Sequence, residues 1–220
     1  MAAPITERAV ATEGDVSARL SLVRRGLRLN YLTIGYNSLE AIVSLVAGVL
    51  AGSVALTGFG VDSVIELGAS AAAQWRLRSD VHQARRAQVE HVTVRAIGWS
   101  FLMLAAFVLI ESGKSLWLRD HPDRSIIGIV ILAMSIVVMP ILARGKRRIA
   151  TGLGSKALAA DARQTSLCAY LSMIALSGVA LNAVLGWWWA DPVAALAMVP
   201  IIAKEGLESI RGEPPCDDCC

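Results

Sequence analysis

The sequence predicts an all-α membrane protein with six transmembrane helices, and three observations carry that expectation. Hydrophobic residues make up 55% of the 220 positions and charged residues only 18%. The apolar positions fall into six long runs separated by short polar segments, and runs of this length suit a bilayer core of about 30 Å. Small residues are abundant, with 18 glycines among them, as expected where helices approach closely in lipid.

Taken in order, residues 1–26 read as a polar N-terminal segment with no apolar signal-peptide core. A first helix is expected over about residues 27–50, interrupted by Tyr36, Asn37 and Glu40. The Ala51-Gly52-Ser53 turn is so short that the second helix, about 54–75, must return beside the first. A basic segment holding His82 and His91 precedes a third helix over about 92–116, and interfacial or solvated roles suit these histidines. The fourth helix is expected over about 125–142, followed by a basic loop, Arg144-Gly145-Lys146-Arg147-Arg148. A fifth runs over about 155–185 and ends at Gly186 and Trp187, Trp188 and Trp189, aromatic residues suited to a membrane interface. The sixth opens at Asp191-Pro192, an acidic residue and a proline in the first turn, and ends near residue 210. Residues 27–211 thus form the transmembrane domain and 212–220 a Cys-rich tail.

Lys and Arg concentrate in the N-terminal segment and in the second-to-third and fourth-to-fifth connections. That asymmetry places both termini in the cytoplasm, with the chain in the inner or plasma membrane. Basic residues confined to short loops argue against nucleic acid as a partner. No nucleophile–base constellation and no phosphate-binding loop is present, so an enzyme is not expected.

The polar residues inside the apolar runs carry the functional expectation. Asp62 and Glu66 are four residues apart, so a helix puts both carboxylates on one face. Ionisable groups at membrane depth are expensive and mark ion pathways. On the fifth helix Asp161, Gln164 and Cys168 share a stripe by their spacing of three and then four. Carboxylates suit most divalent metals, and a thiolate biases a site toward softer ions such as Zn²⁺ or Cd²⁺. Asn37 and Glu40 are candidates for a second shell around that site. Structural alternatives stand beside each: an interhelical hydrogen bond for Gln164, packing for Cys168, a solvated or capping acid for Asp161. Cys216, Cys219 and Cys220, interleaved with Asp217 and Asp218, can wrap one soft metal without any fold; a reduced tail without a role is the alternative.

The stretches Gly52-Ser53-Val54-Ala55-Leu56, Val61-Asp62-Ser63-Val64-Ile65-Glu66, Ala160-Asp161 and Ala190-Asp191-Pro192 resemble, in order and spacing, the membrane domain of the cation diffusion facilitator family. The resemblance implies a six-helix bundle, usually a homodimer, that exports divalent cations, commonly Zn²⁺, in exchange for protons. It implies a transport site of two residues four apart on helix two, here Asp62 and Glu66, and two on helix five, here Gln164 and Cys168. Many members have His and Asp in the second pair, so this chain departs in the residues that select the ion, leaving Fe²⁺, Co²⁺, Ni²⁺ and Cd²⁺ open beside Zn²⁺. The cytoplasmic domain that many members carry after helix six is not expected here. The reading is a proton-coupled divalent-metal exporter without a prosthetic group. A membrane metal sensor that does not transport, working through its tail, is the rival, and an organic-cation transporter finds no aromatic cage to support it.

Overall fold

The computed structural model describes residues 13–78 and 83–211, with side chains described over 20–75, 95–155 and 158–211. Six helices follow one another: α1 (Glu13–Ala51), α2 (Val54–Arg78), α3 (Gln83–Leu118), α4 (Ile126–Leu153), α5 (Lys156–Leu185) and α6 (Ala190–Arg211). The described residues contain no strand. Helices α1 to α5 are each long and apolar enough to cross a membrane. Helix α6, with 22 residues, has the length to span about 30 Å at 1.5 Å per residue. Its composition falls short because Asp191, Lys204, Glu205, Glu208 and Arg211 interrupt it.

Three of the expected boundaries move. Helix α3 begins at Gln83 instead of near residue 92, so His91 of the expected basic segment lies within it. Helix α1 begins at Glu13, so much of the polar segment before residue 27 is helical. Helix α4 does not end near residue 142 but runs through Arg144–Arg148 to Leu153, reducing the expected basic loop to Gly154 and Ser155. No proline interrupts residues 143–153, and their Ala, Arg, Lys and Ile propagate a helix through Gly145 and Gly152. The stop comes at Gly154, in the left-handed conformation at φ 61°. Ser155 then caps α5 by accepting from the Leu158 N–H.

The short connections sort the molecule into two ends. Gly52, at φ 64°, turns α1 into α2, and the Asp123 N–H donates to the Ala51 carbonyl. The Asn182 amide donates to the Pro122 carbonyl, so three inter-helix turns share one end, here the turn face. The other end, the terminal face, holds the start of α1 and the ends of α2, α4 and α6. Asp191 serves the turn face unexpectedly. Its carboxylate accepts from Ser53 Oγ and from the N–H groups of Val54 and Ala55. It therefore caps the start of α2 across the bundle, although it sits in the first turn of α6.

Helix α2 packs against α1, α3, α5 and α6, while α5 packs against α2, α3, α4 and α6. These two helices are thus the inner ones. Helices α3 and α6 approach closely where Gly98 meets Gly206; a Cβ on Gly98 would lie 2.8 Å from the Gly206 carbonyl oxygen. Large apolar side chains such as Leu50, Met103, Trp117, Ile126 and Val184 point outward. The interior combines an apolar cluster around Leu56, Phe59, Phe101, Leu132, Met139 and Met198 with many buried polar groups, and enclosing the latter suits hydrocarbon surroundings.

Candidate cation site

Helix α1 builds the first wall of the interior. Asn30, Thr33, Asn37, Glu40 and Ser44 are all buried, and their spacing of three, four, three and four makes a single stripe of a 3.6-residue helix. Helix α2 contributes Asp62, Ser63, Glu66, Ser70 and Gln74, and α5 contributes Asp161, Gln164, Thr165, Cys168 and Ser172, again all buried. Helix α4 adds Ser135 and Lys146. Together they form a polar column enclosed by apolar helix faces.

The column has layers. Nearest the terminal face, the Asn30 amide donates to the Ser70 carbonyl at 2.6 Å and to Gln74 Oε1 at 3.0 Å. The next layer is charged: Lys146 Nζ lies 3.0 and 2.9 Å from the two carboxylate oxygens of Asp161. It also donates to Ser70 Oγ at 3.1 Å and Thr165 Oγ1 at 2.9 Å. Glu66 Oε1 stands 3.9 Å from the same ammonium and accepts from the Thr165 hydroxyl.

Beyond that layer lies the region that the sequence singled out. Asp62, Glu66, Glu40 and Cys168 are close enough to interact electrostatically. Glu40 Oε2 accepts from Ser63 Oγ at 3.0 Å and stands 3.9 Å from Cys168 Sγ. Glu40 therefore borders the thiol directly. Further toward the turn face, Ser172 donates to Ser135 at 2.8 Å.

Partners are missing where they would be expected. Both carboxylate oxygens of Asp62 are buried without a hydrogen bond, as are both amide atoms of Gln164 and of Asn37. Glu66 Oε2 and Glu40 Oε1 are in the same condition. A buried polar atom left unpaired costs on the order of 1–3 kcal/mol, more when charged, and such atoms are rare in folded proteins. Most of these orphans are acceptor oxygens. A cation satisfies several of them at once, whereas a neutral packing partner does not.

Among the described residues, no three His, Cys, Asp or Glu side chains are already grouped as a metal site. Asp62 and Glu66 lie on α2, and Gln164 and Cys168 lie on α5, which packs against it. Asp161 is brought to the column but not to Asp62, because its two oxygens are committed to Lys146. Asn37 and Glu40 do border the candidate ligands. Cys216, Cys219, Cys220 and His82 lie outside the described residues, and His91 lies on α3 without a described side chain.

Lys146 is the residue that the sequence reading passed over, because it stands between arginines in an apparent loop. The signal was present in the phase of α4. Ile131, Ser135, Met139, Leu142, Lys146 and Ile149 are buried at successive steps of three or four, while Arg144, Arg147 and Arg148 are not. Ser70, Thr165 and Asn30 were missed for a plainer reason. Neutral hydroxyls and amides are common in apolar helices and carry no spacing signature of their own.

Over residues 31–212 the chain matches the family of the cation efflux transmembrane domain. That span takes in all six helices apart from the N-terminal part of α1. No curated protein matches the sequence.

Proposed function

The chain belongs to the cation efflux family, an integral-membrane family of cation transporters, and from that premise we propose that it exports a divalent transition metal through the Asp62 centre in exchange for protons. One observation carries the reading: the Asp62 carboxylate is buried with both oxygens unpartnered. Asp62 and Glu66 supply charge, Gln164 supplies its amide oxygen, and Cys168 supplies sulfur. Asn37 and Glu40 support this set from α1. Asp161 serves as the counter-charge of Lys146 instead of a ligand.

The donor set argues for a borderline or soft ion. Carboxylates and an amide alone would suit Mg²⁺ or Mn²⁺ as well as Zn²⁺, whereas a thiolate favours Zn²⁺ and Cd²⁺. Fe²⁺, Co²⁺ and Ni²⁺ follow as weaker cargoes. Ligation needs deprotonated groups, so metal and protons compete for one site, the physical basis of antiport. The two inner helices carry the ligands, so their tilt against the outer ones exposes the site to one face at a time.

The basic residues at the terminal face support a cytoplasmic orientation for that face, in an inner or plasma membrane. The resemblance to the family supports a homodimer as the assembly that transports. Purified protein in proteoliposomes, loaded with a metal-sensitive dye and tested with Zn²⁺, Cd²⁺, Fe²⁺, Co²⁺ and Ni²⁺ under an imposed pH gradient, tests the proposal. Zn²⁺ or Cd²⁺ uptake that responds to the gradient and disappears in Asp62→Ala is expected. Normal flux in Asp62→Ala would refute the site.

A further inference from the structure

Lys146 is buried, with its side chain 5% exposed, and makes no contact that a lipid-facing or solvated lysine would make. Its ammonium touches α2 at Ser70 and Glu66 and α5 at Asp161 and Thr165. One side chain of α4 thus ties together the two helices that carry the candidate ligands. Its position along the column is equally specific. A small cavity of about 10 Å³, room for one water, is lined by Gly26, Ala73, Ile149 and Leu158, with Lys146 and Asp161 also in its wall. Along α4 and α5, Ile149 and Leu158 lie nearer the terminal face than Lys146 and Asp161. The ion pair therefore forms the inner end of the cavity, and the Asp62 centre lies beyond it.

We propose that Lys146 is the gate of the terminal-face route to the Asp62 centre, a tethered cation that bars the passage until it leaves Glu66 and Thr165 while staying on Asp161. The inference rests on the reading of Asp62 as a cation site. Asp161 makes the movement feasible, because it keeps a full counter-charge on the ammonium after Glu66 is released. An incoming divalent ion replaces one positive charge on Glu66 with two, so it competes with Lys146 better than a monovalent ion does. The gate closes against cations by charge and against bulk water by filling the column.

Cys168 is fully buried beyond the gate, which makes its thiol a probe of passage. In the full chain with Cys216→Ser, Cys219→Ser and Cys220→Ser it is the sole thiol. Its modification by a cationic methanethiosulfonate (the ethylammonium reagent) and by a neutral one (the methyl reagent) is followed by mass spectrometry. Lys146→Met is expected to accelerate the cationic reagent by about tenfold and the neutral one much less, while Lys146→Arg stays slow. Unchanged rates in Lys146→Met, or equal acceleration of both reagents, would overturn the gate. If Lys146→Met alone does not fold, Lys146→Met with Asp161→Asn removes both charges and is held to the same two outcomes. Protection of Cys168 by Zn²⁺ or Cd²⁺ reports separately on the cation site: its absence sinks that site, whatever the gate does.

Discussion

The Lys146 ammonium and the Asp161 carboxylate meet at 2.9 Å inside the bundle, with their side chains 5% and 3% exposed. A pair so placed is costly to break from one side, because the remaining charge stays buried. Asp161→Asn is expected to destabilise the folded protein by about 3–5 kcal/mol. Lys146→Met with Asp161→Asn is expected to recover most of that loss. Thermal unfolding in detergent measures both, and a double variant no more stable than Asp161→Asn would show that the two residues are not energetically coupled.

Asp191 holds the start of α2 from another helix, through Ser53 and two backbone N–H groups. Losing a helix cap costs about 0.5–2 kcal/mol, and the buried Ser53 hydroxyl loses its acceptor while still accepting from the Leu56 N–H. Asp191→Ala is therefore expected to lower the melting temperature while leaving metal binding to the solubilised protein within a few-fold of normal. Loss of binding in a folded Asp191→Ala protein would instead give Asp191 a part in the site.

Asp62→Asn keeps the size of the side chain and removes its charge. Divalent-metal affinity is expected to fall at least about a hundredfold, as for the loss of one charged ligand among four. Isothermal titration with Zn²⁺ and Cd²⁺ reads this directly. Stability should hold or rise, because an uncompensated buried carboxylate has been removed. A clear loss of stability would identify Asp62 as structural.

Gln164 and Cys168 decide the ion in the proposed site. Cys168→Ser is expected to weaken Cd²⁺ binding by about tenfold or more while changing Mn²⁺ far less, since only the soft ion gains from sulfur. Gln164→His with Cys168→Asp, which installs the pair common in the family, is expected to move preference from Cd²⁺ toward Zn²⁺. Competition between the two metals checks the order, and an unchanged Cd²⁺ preference in Cys168→Ser would remove the thiol from the shell.

Periodicity and local spacing alone determined a great deal. The long apolar runs required helices, the Gly52 turn required α1 and α2 to run antiparallel, and the four-residue interval put Asp62 and Glu66 on one face. All of these depend on residues near one another in the chain, where helix geometry converts spacing directly into position. Tertiary structure decided which polar groups face one another. It aimed Asp191 at α2, spent Asp161 on an ammonium, left Asp62 and Gln164 unpartnered, and brought Lys146 out of an apparent loop into the column. Those outcomes depend on how far α4 continues and how it rotates against α2 and α5. Packing sets that relation over the whole bundle, and no single segment encodes it.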